Sequence, residues 1–96
     1  MRMEPIIDQQ LKLVVKSSKC VHYKSGDIIY LDGAFVSPKT KVPVCLSALN
    51  ALYPFIYGAR KRLTGEQLGF PDMIFQCPDV PESVEFQIIP DDEQID

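Results

Sequence analysis

One stretch of this chain carries the spacing of a helix, and everything else has to be arranged around it. Cys45, Ala48, Leu49, Leu52 and Ile56 fall at i, i+3, i+4, i+7 and i+11, an apolar stripe along one side of a helical cylinder. Pro43 suits the first helical position, because the N–H it lacks would have found no partner there. Pro54 lies inside the stripe and removes the bond to the carbonyl of Asn50. That predicts a kink, or two short helices meeting near Tyr53. Arg60-Lys61-Arg62 closes the segment with positive charge against the negative end of the helix dipole. Gly65 and Gly69 then read as a flexible connection.

The flanking segments have the period of strands. Leu11, Leu13 and Val15 alternate with Lys12 and Val14 until Ser17-Ser18-Lys19 breaks the pattern. Ile28 to Leu31 is a β-branched and aromatic run entered from the Ser25-Gly26-Asp27 turn. Asp32-Gly33 is a turn dipeptide, and Ala34-Phe35-Val36 a short return strand. Met73, Phe75 and Cys77 alternate with Ile74 and Gln76, and Val84, Phe86 and Ile88 with Glu85 and Gln87. Between these two strands, Cys77-Pro78-Asp79-Val80-Pro81 reads as a stiff turn. The order of elements predicts an α+β domain over residues 10–90. A small, mostly antiparallel sheet of four to five strands packs on one kinked helix or two short ones. Residues 1–9 read as a flexible arm and 91–96 as a solvated acidic tail.

At 96 residues, with 46% apolar and 24% charged side chains, the chain has room for one modest core. Its net charge of −3 argues against nucleic acid as a partner, because phosphate binding needs a concentrated basic surface. No secretory apolar region opens the sequence and nowhere do eighteen apolar residues run together, so a cytoplasmic protein without membrane contact is expected. Three cysteines, Cys20, Cys45 and Cys77, are an odd count and lie far apart, which speaks against a disulfide scaffold, and the lack of a Cys-x-x-Cys pair speaks against thioredoxin-type redox chemistry.

Those thiols are the residues best suited to chemistry. Cys45, near a helix start, sits beside N–H groups that favour a thiolate or an anionic ligand. It is equally well explained as the first member of the apolar stripe. Cys20 and His22 are two residues apart and share a side if that segment is extended. His22 is the only imidazole in the chain, although a half-exposed loop histidine is the commoner explanation. Asp79 and Asp27 sit at turns, where a carboxylate serves a site or simply binds local backbone N–H groups. Tyr53, Phe55, Tyr57 and Phe70 are candidates for an aromatic pocket, with core packing the more frequent role.

Cys20, Tyr23, Gly26-Asp27, Cys45 with Ala48, Leu52-Tyr53-Pro54, Cys77-Pro78-Asp79 and Val84-Glu85-Phe86, in this order, resemble a family of small uncharacterised prokaryotic single-domain proteins. The resemblance covers roughly residues 11–89. It implies no particular activity, but it marks Cys20, Asp27, Cys45, Cys77 and Asp79 as the positions of a site. The longer, more basic stretch from Arg60 to Met73 and the acidic tail depart from that pattern.

Three functions follow as expectations. In the first, the cysteines converge into a site for a small ligand or a soft metal such as zinc, with Cys20, His22, Cys45 and Cys77 as ligands. In the second, the chain is an enzyme without an organic cofactor. A Cys45 or Cys77 thiolate is then assisted by His22, Asp27 or Asp79. In the third, it is a non-catalytic interaction subunit, a homodimer by default, with the cysteines as core.

Overall fold

A computed structural model describes residues 7–79 and 81–95. Five strands, β1 (Leu11–Ser18), β2 (Ile28–Asp32), β3 (Phe35–Val36), β4 (Ile74–Gln76) and β5 (Val84–Pro90), form one sheet in the order β3-β2-β1-β5-β4. Every neighbouring pair is antiparallel. Helix α1 (Leu46–Arg60) carries the chain from one sheet edge to the other, and α2 (Gly65–Leu68) is a single further turn. This is the α+β arrangement expected from the patterning.

The alternating side chains explain why one face of the sheet takes the helix. Leu13 lies opposite Ile88, Val15 opposite Phe86, and Leu11 opposite Leu31, and all are buried with Ala48, Leu52 and Ile56 of α1. Strand β1 extends further than its apolar residues suggested. An irregularity at Lys16 shifts the register, so that Ser17 pairs with Glu85 and Ser18 with Val84. The extra residue shifts the alternation by one, so that Val15 and Ser18, three apart, both lie on the core side. The Ser17 hydroxyl donates to Glu85 at 2.8 Å. Ser18 ends the strand by exchanging hydrogen bonds with the backbone of Cys20.

Helix α1 is not divided at Pro54. Pro54 and Asn50 both face solvent, so water can take the carbonyl that the proline leaves unpaired. The helix begins three residues after Pro43, at Leu46, with Cys45 as its N-cap residue. Its far end is closed by two bonds, Arg62 N–H to the Ala59 carbonyl and Leu63 N–H to the Gly58 carbonyl. This is the Schellman pattern, which usually puts glycine where Arg62 stands at φ 70°. The segment expected to be a flexible connection is structured instead. Thr64 and Gln67 form a reciprocal capping box for α2, and Gly69 at φ 89° ends it. Gly58 admits this turn closely: a Cβ there would lie 2.8 Å from Leu68.

Phe55, Phe70 and Phe75 make a three-ring contact with centroids 4.1–5.1 Å apart. Phe55 and Phe70 are therefore packing residues, while Tyr53 and Tyr57 pair on the solvent side of α1.

Residues 1–6 of the expected arm lie outside the described residues, as do Val80 of the Cys77–Pro81 turn and Asp96 of the tail. Ile7 to Gln10 are tied down. The Gln9 N–H donates to the Arg60 carbonyl at 2.7 Å, and Arg62 donates to the Ile7 carbonyl and to Gln9 Oε1. Asp8 meets Lys61 at 2.9 Å and Arg60 at 3.4 Å. The start of the tail is held as well, by Asp91 N–H on the Gln10 carbonyl and Lys12 on the Asp91 carbonyl.

The Lys61 hydrogen bond holds the Asp8 carboxyl below its ordinary value. Loss of surrounding water acts the other way, and the charges of Lys61, Arg60 and Arg62 add to the lowering. A carboxyl depressed on folding adds stability above its unfolded value, near pH 4, and loses it as pH falls through the folded value. Thermal melting of Asp8→Asn should therefore be lower than wild type at neutral pH and converge with it in acid. Parallel curves at every pH would show that the clasp does not form. Phe86→Ala, which empties a fully buried position, should cost about 3–5 kcal/mol in urea unfolding.

Candidate ligand groove

The sequence pointed to the cysteines, and these gather around one side chain, Tyr23. Its ring packs edge-on to Phe86 with centroids 5.5 Å apart, and its hydroxyl reaches the start of α1. The hydroxyl donates to the Pro43 carbonyl at 2.6 Å and accepts from the Cys45 N–H at 3.0 Å. Burial pushes the Tyr23 hydroxyl above its ordinary value. The Cys45 N–H pulls it back, and the negative charges that Cys45, Cys20 and Cys77 would carry as thiolates push it up again.

Each thiol has a structural setting. Cys77 is buried and its Sγ accepts from the Val84 N–H at 3.2 Å, closing the β4–β5 connection. Cys20 and Cys45 are half-buried against the core, and the Cys45 side chain makes no cap bond to the helix. All three are free thiols.

The four-ligand set Cys20, His22, Cys45 and Cys77 is not assembled. Among the described residues, no group of three or more His, Cys, Asp or Glu side chains could hold a metal ion. Local geometry gives the reason, since His22 is exposed in a turn while the Cys77 sulfur turns inward to a backbone N–H. The carboxylates expected to assist catalysis also have other roles or none. Asp27 Oδ2 accepts from the Lys24 N–H at 2.9 Å and so builds its own turn, and Asp79 is exposed.

A groove of about 430 Å³ lies elsewhere, where the end of α1, the loop after it, residues Pro71–Met73 and strand β5 meet. Its apolar lining comes from Leu11, Ala59, Met73 and Ile88, and its polar lining from Arg62, Asp72, Gln87 and Glu93, among others. Leu11, Met73 and Ile88 are the buried residues of this set. Gln87 Nε2 donates to the Asp72 carbonyl, and the Ile88 N–H to the Met73 carbonyl. Arg62 is held by the Ile7 and Gln9 contacts already described.

Unusual backbone shapes this groove. The two non-glycine residues with positive φ among those described are Arg62 and Met73, at 70° and 52°, and both line it. Each left-handed residue costs about 1–2 kcal/mol, which its surroundings must offset. A third lining residue, Gly65, leaves no space for a side chain. A Cβ there would lie 2.5 Å from the Phe70 carbonyl oxygen and 2.8 Å from Met73 Cγ.

Little in the sequence signalled this groove, since its members come from four separate stretches of chain. Gly65 was the one hint, read as flexibility and found to be close packing. Chemically, the lining contains no cysteine and no histidine. It can hold an apolar body on its floor and polar groups at its rim.

The chain matches no protein-family model, no curated protein and no solved structure. None of the helices among the described residues is long and apolar enough to cross a membrane.

Tyr23→Phe deletes both bonds of the hydroxyl and leaves the part-buried Cys45 N–H and Pro43 carbonyl short of a partner. It should cost about 1–3 kcal/mol in denaturant unfolding, and a neutral result would show that water or a neighbour replaces the hydroxyl. In native protein, Cys20 and Cys45 should react with a thiol reagent before Cys77, as followed by mass spectrometry. Equal rates would mean that the Cys77 corner opens.

Proposed function

We propose that this protein is a small-ligand-binding protein without catalytic chemistry of its own, and that the groove beside Arg62 and Met73 takes the ligand. The observation that carries this reading is the shape of the groove wall. Two left-handed residues and a glycine with no room for a Cβ converge on one hollow, and unfavourable backbone concentrates where function needs it. The volume also falls in the usual range for small-molecule sites.

The mixed lining defines the ligand as amphipathic. An aliphatic or aromatic body would cover Leu11, Met73 and Ile88. Its hydrogen-bonding groups would then face Arg62, Asp72, Gln87 and Glu93 at the rim. This keeps the small-ligand part of the sequence-based expectation and moves it away from the cysteines. A thiol-centred metal or catalytic site draws no support from the placement of Cys20, His22 and Cys45.

A fragment library screened by protein-observed NMR tests the proposal. Amphipathic fragments should shift the amide signals of Leu63, Gly65, Met73 and Ile89 together and leave those of Val21 and Ser47 in place. Hits that instead cluster around Cys20, Tyr23 and Cys45, or scatter over the surface, would overturn it.

A further inference from the structure

On the opposite side of α1, a second apolar surface remains largely open to solvent. Leu46, Leu49, Tyr53 and Tyr57 follow one another at i, i+3, i+7 and i+11, so they share one side of the helix. Leu46 is 81% exposed, Tyr53 50% and Tyr57 48%. Val36 of edge strand β3 pairs with Leu31 and so points to the helix side of the sheet, where it is 41% exposed. Between helix and strand lies a hollow of about 80 Å³, lined in part by Leu31, Val36, Leu49, Tyr53 and Ile56.

Charge sets this surface apart from the rest of the molecule. Helix α1 and its C-cap residue carry Arg60 and Lys61 and no aspartate or glutamate, although the net charge of the chain is −3; Lys39 is paired with Asp91, and Arg62 faces the groove. The cations concentrate at one end of the apolar stripe. Arg60 Cζ lies 5.0 Å and Lys61 Nζ 5.7 Å from the centroid of the Tyr57 ring. Among the described residues a single carboxylate, Asp8, meets Arg60 and Lys61, two cations against one anion beside an exposed aromatic pair.

We infer that the face formed by β3 and the outer side of α1 docks an acidic peptide segment of a partner protein. An apolar anchor side chain would enter the hollow, and carboxylates would lie against the Tyr57–Lys61 end. The charge pattern selects this occupant. A second copy of the chain laid antiparallel on α1 would set Lys61 against a helix start whose first turn carries no acid, so self-pairing lacks complementarity. A hollow between strand and helix suits a single inserted side chain better than it suits a flat anionic bilayer. Exposed apolar surface with a polar rim is the usual form of such a site.

The test is selection from a displayed library of random twelve-residue peptides on the whole protein, with Tyr53→Glu as the counter-selecting variant. Tyr53 is half exposed, and unchanged melting of the variant establishes that it is folded. Enriched sequences should combine aspartate or glutamate with a large apolar residue. Their affinity should fall at least tenfold in Tyr53→Glu and in Lys61→Glu, and should weaken with added salt. Enriched peptides without acids, equal binding to Tyr53→Glu, or no enrichment over it would each overturn the inference. So would co-sedimentation with phosphatidylserine vesicles that Tyr53→Glu abolishes, or a dimer in analytical ultracentrifugation that the same change dissociates.

Discussion

The side chain of Tyr23 ties together three parts of the chain at one end of the sheet. It sits in the connection between β1 and β2, its ring lies against Phe86 of β5, and its oxygen binds the backbone on both sides of Val44. Helix α1 has no side-chain cap and no acid in its first turn, so nothing local fixes where it begins. A buried tyrosine needs a partner for its hydroxyl, and the segment Pro43–Cys45 needs an anchor. Each requirement meets the other. Once the start of α1 is fixed, its buried residues face β1 and β5, and its far end arrives where Ile7–Gln10 can bind it.

The cysteines take their meaning from this arrangement. They surround Tyr23 because the corner between β1 and β2, the helix start and the end of β4 meet at one end of the sheet. Among the described residues they form no ligand set, and what they share is an influence on the Tyr23 hydroxyl. Whether a thiol faces a vacant centre or the backbone depends on contacts as specific as the one between Cys77 and the Val84 N–H, which no spacing encodes.

The same division separates what was legible from what was not. Val84, Phe86 and Ile88 alternate cleanly because they face the helix while Glu85 and Gln87 between them do not, and periodicity reports that directly. Ala48, Leu52 and Ile56 likewise identify the inner side of α1. Helix ends were harder to place. Pro43 met the rule for a first position, yet the tyrosine contact holds the chain extended until Cys45. Thr64 and Gln67 form a capping box that was present in the sequence but overshadowed by Gly65 and Gly69. The groove was the least legible feature, because Arg62 and Met73 adopt left-handed backbone that their residue types do not announce.

The irregularity at Lys16 works as a correction of frame within β1. Up to Val15, odd-numbered residues face the core; beyond it, Ser18 takes the inward place opposite Val84. Drawn straight with Lys16 kept in the ladder, the strand would set Ser17 opposite Val84, turn over each position after Val15 and carry the approach to Tyr23 to the wrong side. Deleting Lys16 would instead remove the bulge and leave Ser17 opposite Glu85 and Ser18 opposite Val84. The bulge thus absorbs one surplus residue, and the phase in which the first third of the chain meets the rest survives it.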